Sequence, residues 1–256
     1  MATALQLFPL AGFPLVEPGD DLPALVAQSL ADNALGLEDG DVVVVAQKIV
    51  SKAEGRYVAL ADIEPSAEAQ KLAARADKDP RHVEVLLRES SEVLRVRPGV
   101  IIVEHRNGYV MANAGIDRSN ITSDPDNPRV LLLPEDPDAS ARALSAGLAR
   151  QVGVSPPQVI INDSVGRAWR NGTVGIAIGT AGLVPLYNQI GGTDLFGNVL
   201  EVTEPAVADE LAAAASLVMG QAAEGCPVVL VRGAQLAAGD EDSLSLLRER
   251  AMDMFR

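Results

Sequence analysis

Residues Asp39–Arg56 read DGDVVVVAQKIVSKAEGR. Four consecutive valines follow an Asp-Gly turn signal. A short, unbroken β-branched run of this kind predicts a buried strand over Asp41–Ala46. The segment VSKAEG (Val50–Gly55) follows directly and carries Lys52, with Lys48 closer to the strand end. A lysine at a strand end can meet a phosphate as a point charge. Lys48 reads more simply as a solvated surface residue.

Other apolar runs extend this pattern in both directions. Val100–Glu104 and Tyr109–Ala112 predict strands around a turn at Asn107-Gly108. Val130–Leu133, Val159–Asn162 and Pro227–Val231 predict three more. Helices are expected over Asp20–Leu30, capped by Asp20 or Asp21, over Pro65–Ala76 and over Asp79–Val93. Asp136 with Pro137 opens another, running to about Gln151. Thr203 can cap a long Ala-rich helix ending near Gly220, and the charge-rich tail reads as a last helix. The stretch IAIGTAG (Ile176–Gly182) is neither a P-loop nor GxGxxG and reads as close packing. Strands and helices mix irregularly, which predicts an α+β fold.

Composition narrows the function classes. The 256 residues suffice for one large domain or two modest ones. The 48% apolar fraction supports a real core, filled by aliphatics because aromatics are only 3%. A net charge of -14 argues against nucleic acid and against an anionic membrane surface. An acidic protein that binds an anionic small molecule needs a metal or a local cluster of cations. Cys226 is the single cysteine, so no intrachain disulfide forms. Two histidines, His82 and His105, are too few for a His-rich zinc site, and oxygen ligands for Mg or Mn fit better. The start of the chain has no basic region, and Pro9 and Pro14 interrupt its apolar stretch. No signal peptide or membrane span is expected, and the expected compartment is the cytoplasm.

Two polar motifs carry the chemistry. NAGIDRSN spans Asn113–Asn120 and INDSVGRAWR spans Ile161–Arg170. Each joins an aspartate to a hydroxyl, an arginine and a glycine beside strand-like sequence. Asp117 and Asp163 read either as ligands of a shared metal or as turn-forming and capping residues. Arg167 and Arg170 either hold an anion or pack around Trp169. Asn113 and Asn120 read as ligand contacts or turn formers, and Glu54 as support for a cation or a plain loop acid.

Six motifs in order complete the pattern: GFPLVEPGDDL (Gly12–Leu22), DGDVVVVAQKIVSKAEGR, NAGIDRSN, LLLPEDPDASA (Leu131–Ala141), INDSVGRAWRNG (Ile161–Gly172) and VADELAAAASLVMG (Val207–Gly220). Together they resemble the coenzyme F420:L-glutamate ligase (F420-0 γ-glutamyl ligase) family, over roughly Leu10–Gly233. The resemblance implies a GTP-dependent ligase that adds L-glutamate to coenzyme F420-0, then further glutamates through γ-linkages. It implies an acyl phosphate intermediate with release of GDP and phosphate. Two Mg or Mn sites, stimulation by K+, an unusual α+β fold and an intertwined homodimer are implied as well. A single ligase domain over residues 1–256 is expected, with room for two subdomains. The nitroreductase-like C-terminal domain of some relatives is not expected.

Carried over by motif, Asp117 and Asp163 would ligate one metal, and Ser164 and Gln221 a second. Ser164 stands where many members have Thr, and Gln221 replaces an acid found in some. Ala11, Gly12, Phe13, Pro14, Gln47, Lys52 and Asn120 would line the GTP site. Met219, Gly220, Gln221, Ala222, Ala223 and Glu224 would close on it. Arg118, Arg167 and Arg170 are candidates to hold substrate carboxylates or the F420 phosphodiester. Alternative readings are a glutamate ligase for another acidic acceptor, a metal-dependent nucleotide phosphohydrolase, and a nucleotide-binding regulator without turnover.

Overall fold

The computed structural model describes residues 4–124 and 126–255. Its centre is a five-stranded sheet built on the valine run. β1 (Gln6–Pro9), β2 (Val42–Ala46), β8 (Gln158–Arg167), β9 (Arg170–Ala181) and β10 (Val228–Arg232) lie in the order β1-β10-β2-β8-β9. Only β2 and β8 run parallel; the other pairs are antiparallel. Val42, Val43, Val44 and Val45 are all fully buried, which requires cover on both faces. Val43, Val45, Val159 and Ile161 face a core shared with helices α1 (Leu22–Asp32) and α5 (Pro137–Val152). Val42, Val44 and Ile160 face helix α6 (Val207–Met219). Each buried valine contributes about 1.5 kcal/mol or more, and the alternation fixes the register.

The second layer is smaller. Helices α3 (Ala67–Ala76) and α4 (Pro80–Arg88) pack on a three-stranded sheet of β4 (Ser90–Arg97), β5 (Val100–His105) and β6 (Val110–Ala112). A two-stranded sheet pairs β3 (Tyr57–Ala59) with β7 (Arg129–Leu131). The mixed architecture is the α+β class expected. Among the described residues no helix is long and apolar enough to cross a membrane.

Caps behave as their sequences require. The Asp21 carboxylate accepts the Ala24 N–H, and Asp136 accepts the Ala139 N–H, each with proline in the first turn. The IAIGTAG stretch lies in β9, and its glycines serve packing. A Cβ on Gly175 would sit 2.5 Å from the Ala212 carbonyl oxygen, and one on Gly179 would sit 2.4 Å from the Pro137 carbonyl oxygen. Bare backbone therefore lets α6 and α5 approach the sheet. β9 also carries an extra residue, Ile178, where Ile161 and Asn162 pair with Gly179 and Ala177. The Ile178 carbonyl is satisfied by the Tyr109 hydroxyl at 2.5 Å and the Ser243 hydroxyl at 2.9 Å.

Four local expectations are corrected. The helix predicted to Val93 ends at Arg88, and Ser90–Arg97 is strand. The Ser90 hydroxyl donates to the Leu86 carbonyl, and the chain then pairs with β5. Thr203 does not cap α6. Its carbonyl accepts the Gln189 N–H, and α6 starts at Val207 without a side-chain cap. The tail forms two short 3-10 turns, Ser243–Leu246 and Arg250–Met252, in place of an α-helix. Long-range anchors hold it: Asp138 accepts the Ser243 N–H and hydroxyl, and Arg250 pairs with Glu92. Finally, Gln47–Ala53 is a short helix, α2, where no element was assigned.

Candidate active site

The parallel pairing of β2 with β8 creates the site. Ala46 lies opposite Asn162 at the last position of their pairing, where β2 stops and β8 runs on beside β9. α2 starts at the next residue, Gln47, and Asp163 follows Asn162. Gln47, Lys48 and Asp163 thus meet at the carboxyl end of β2, where its parallel pairing with β8 stops, the usual kind of place for a ligand on such a sheet.

Asp117 arrives from the second layer. Asn113 and Ala114 have φ of 53° and 54°, a left-handed turn that costs a non-glycine residue about 1–2 kcal/mol. The Asn113 carboxamide oxygen holds this turn by accepting the Ile101 N–H at 3.2 Å. Asn113 is therefore a turn former. Asp117 then exchanges both backbone hydrogen bonds with Leu131, at 2.9 and 3.0 Å. Its side chain meets α2. Gln47 Nε2 donates to Asp117 Oδ2 at 2.5 Å, and Gln47 Oε1 accepts the Ser51 hydroxyl at 2.9 Å. Lys48 pairs with Asp117 Oδ1, with exposures of 27% for the lysine and 21% for the aspartate. Lys48 is thus a part-buried ion-pair partner in the cavity wall, which corrects the solvated-surface reading.

The electrostatics are unbalanced. Burial, then the neighbouring Asp117, push Asp163 up to about 7, against opposing help from Lys48 and the Ser164 N–H. Two half-buried carboxylates face one bonded ammonium. Lys52, one turn along α2, is lowered by burial and by Lys48, with Glu17 and Asp117 acting the other way. Such a pair of carboxylates fits a hard divalent cation. Mg-type ions characteristically take one or two protein carboxylates and fill the remaining positions from water and phosphate. No cluster of three or more His, Cys, Asp or Glu able to hold a metal occurs among the described residues. Phosphate and water would therefore supply the other ligands.

A cavity of about 610 Å³ opens over this pair, a size suited to a small-molecule ligand. Of the residues singled out from sequence, Phe13, Pro14, Gln47, Lys52, Asp117, Asn120, Asp163, Ser164 and the whole Met219–Glu224 loop line it. Asn120 bridges to that loop, donating Nδ2 to the Ala222 carbonyl at 2.9 Å. The amide nitrogen of Gln221 is donated to the Ser216 hydroxyl at 2.8 Å.

The other residues singled out from sequence for the site fall outside the lining. Ala11 is braced by the Asn33 side chain through two 3.1 Å bonds, and Gly12 turns the chain beside it. Arg118 lies beside Lys78 and His82, which is lowered to about 4 chiefly by burial. Arg167 and Arg170 lie at the exposed end of the β8–β9 hairpin, where Arg167 bonds the Gly172 carbonyl. Trp169 there is 87% exposed and packs against Phe255. Glu54 accepts the Ser140 hydroxyl and stands outside the lining.

Lys48 and Asn162 are lining residues that the motifs did not single out as site residues. Asn162 is 5% exposed, and its Oδ1 has no hydrogen-bond partner. Its position beside Asp163 was the available signal.

A carboxylate pair and two lysines, lining a cavity where the parallel pairing of β2 and β8 stops, make a candidate site for a cation and an anion on an α+β fold. Comparison with known proteins specifies the class. The family described as F420-0:Gamma-glutamyl ligase matches residues 12–233. Coenzyme F420:L-glutamate ligase of Methanothermobacter thermautotrophicus is 47% identical, over 98% of this chain and 99% of its own length. The protein of that name from Methanopyrus kandleri is 47% identical over 94% and 93%. The one from Archaeoglobus fulgidus is 41% identical over 98% and 96%. The chain belongs to the F420-0:γ-glutamyl ligase family and is a ligase.

Proposed function

We propose that this enzyme joins L-glutamate to coenzyme F420-0 and then extends the product through γ-linkages, using GTP and a divalent cation. The observation that carries the reading is the Asp117–Asp163 pair, two electrostatically coupled carboxylates lining one cavity with Lys48 and Lys52. The substrates are all anionic, while the protein's net charge is -14. Local positive charge and a bound cation reconcile the two.

Asp117 and Asp163 would hold a Mg or Mn ion. When bound, that ion neutralises phosphate oxygens and draws charge from the transferred phosphoryl group. Gln47 keeps Asp117 oriented, and Ser51 keeps Gln47 oriented. Lys52 would meet a phosphate from α2. Phe13, Pro14, Asn120 and the Met219–Glu224 loop would enclose the nucleotide and exclude water. The terminal carboxylate of the acceptor attacks the γ-phosphorus of GTP and displaces GDP, giving an acyl phosphate. The amine of glutamate attacks that carbonyl, the amide bond forms, and inorganic phosphate leaves with the carbonyl C–O bond broken. A second ion would rest on Ser164 and Gln221, neutral donors only, so it would depend on the charge of the nucleotide. K+ is proposed as a stimulating ion.

The compartment proposed is the cytoplasm. A homodimer is proposed too, supported by exposed apolar side chains: Trp169 on the hairpin, Leu195, Phe196 and Val202 on the 187–204 segment. Sedimentation would test it.

Mass spectrometry of F420-0 incubated with enzyme, GTP, Mn2+ and L-glutamate tests the reaction. Products heavier by successive glutamyl units are expected. Phosphate release that needs neither glutamate nor acceptor would mark a phosphohydrolase instead. Unchanged GTP in the complete mixture would mark a binding protein.

A further inference from the structure

We infer that Lys48 is the built-in counter-ion of this site: its ammonium and a divalent cation alternate on Asp117, and the displaced ammonium turns to the phosphates. The inference rests on the metal reading above and gives a role to a residue that the motifs left without one.

The two oxygens of Asp117 are held differently. Oδ2 takes its hydrogen bond from Gln47, which is 2% exposed and fixed in turn by the fully buried Ser51. That contact belongs to the frame. Oδ1 is held by Lys48, whose long side chain lines the cavity and keeps part of its surface in solvent. Lys48 can therefore leave, and Gln47 cannot. Asp163 feels both Asp117 and Lys48, so one ammonium serves two carboxylates.

An ammonium and a divalent cation cannot share that space. At contact distance in a half-buried site their repulsion is far stronger than in bulk water. A metal reaching Asp117 must push Lys48 aside. Lys52 lies four residues further along α2, and side chains at that spacing share a helix face. Displaced Lys48 therefore joins Lys52 on one side of the cavity, where two ammonium groups can meet a phosphate chain. Conversely, a phosphate that draws Lys48 away uncovers Oδ1 for the metal. Metal and nucleotide are thereby coupled through Lys48, in addition to any contact they make with each other.

Mn2+ binding, followed calorimetrically and by the paramagnetic resonance of free Mn2+, tests this without any turnover. Wild-type protein, K48M, K48Q, K48R, D117N and K48M/D117N are compared with Mn2+ alone. K48M and K48Q are expected to bind Mn2+ about tenfold more tightly than wild type, the effect of removing one competing half-buried ion pair. K48R, which keeps the charge, is expected to stay near wild type. D117N should lose Mn2+ in either background. K48M should also raise the KM for GTP, a change opposite in sense to its gain in metal affinity. A merely structural lysine would weaken both. If D117N loses Mn2+ but K48M and K48Q bind it no better than wild type, the counter-ion role is overturned and the metal reading stands. If Mn2+ binds none of the proteins, both are overturned.

Discussion

Two clusters of buried charge divide this molecule's labour, and their charge balance differs. At the joint between the layers, Glu89 is a single carboxylate between two arginines, with a buried histidine beside it. Arg56 Nη2 lies 3.1 Å from Oε2, Arg106 Nη2 lies 2.6 Å from Oε1, and His105 Nε2 lies 3.7 Å from Oε2. Burial pushes Glu89 up, but His105, Arg106 and Arg56 outweigh it and hold it below the usual carboxylate range. At the cavity, Asp117 and Asp163 share one bonded ammonium, and Asp163 is pushed up to about 7. The first cluster is complete within the protein. The second leaves negative charge unmatched, which is the condition for recruiting a cation from solution.

The largest expected effect lies at the incomplete cluster. Asp117→Ala is expected to lower glutamylation by about a thousandfold or more, since it removes both the proposed metal ligand and the anchor of Gln47. Circular dichroism should show the fold retained, because the Asp117 backbone bonds to Leu131 survive. Turnover near the wild-type level would remove Asp117 from the metal site and collapse the contrast between the clusters.

The complete cluster should respond in stability instead. Glu89→Ala leaves Arg56 facing the cavity of a lost partner at 21% exposure, and breaking such a pair costs about 3–5 kcal/mol. Arg56 also donates to the Leu133 carbonyl, so the junction between α2 and the second layer should loosen. Urea titration should show a lower midpoint, while the KM for Mn2+ in the folded fraction stays unchanged. A metal defect without a stability defect would contradict the division proposed.

Much of the frame was legible in the sequence, and for local reasons. The valine run declared β2 because β-branched residues in an unbroken apolar stretch have few other uses. Asp21 and Asp136 declared their helices because capping is decided within four residues. Asp117 and Asp163 were visible as candidates because each follows strand-like sequence. What was not legible depends on partners distant in the chain. Lys48 looks like a surface lysine until β2 and β8 align and Asp117 arrives, with 70 residues separating Asp117 from Gln47. The Glu89 cluster draws on Arg56, His105 and Arg106, none of which forms a local motif with it. Ser90–Val93 continues a helical pattern, yet pairing with β5 makes it strand. The tail follows Asp138, Glu92 and Glu104 rather than an apolar face of its own.

The smallest effect sharpens the comparison through pH, because the two clusters carry opposite signs. Glu89 is held below its ordinary 4.5 in the folded protein. Its contribution is therefore present above the unfolded value and is lost as pH falls through the folded one. Asp163 is the reverse, about 7 when folded against 3.8. Between those values the folded protein keeps a proton that the unfolded chain has released. Its contribution is full below 3.8 and is lost as pH rises through about 7. Asp163→Asn removes this loss, since the amide stays neutral. Without divalent cations, the variant is expected to melt about 2–4 °C above wild type at pH 8, the shift for roughly 1 kcal/mol in a protein of this size. The gap should narrow steadily as pH falls below 7, and the two should nearly coincide below pH 3.8, where both states keep the proton. Added Mn2+ should reverse the order at pH 8, because only the wild-type carboxylate gains stability by mass action. A variant that gains equally at pH 8 and below pH 3.8 would mean that Asp163 is strained by packing, with no role for the charge it shares with Asp117.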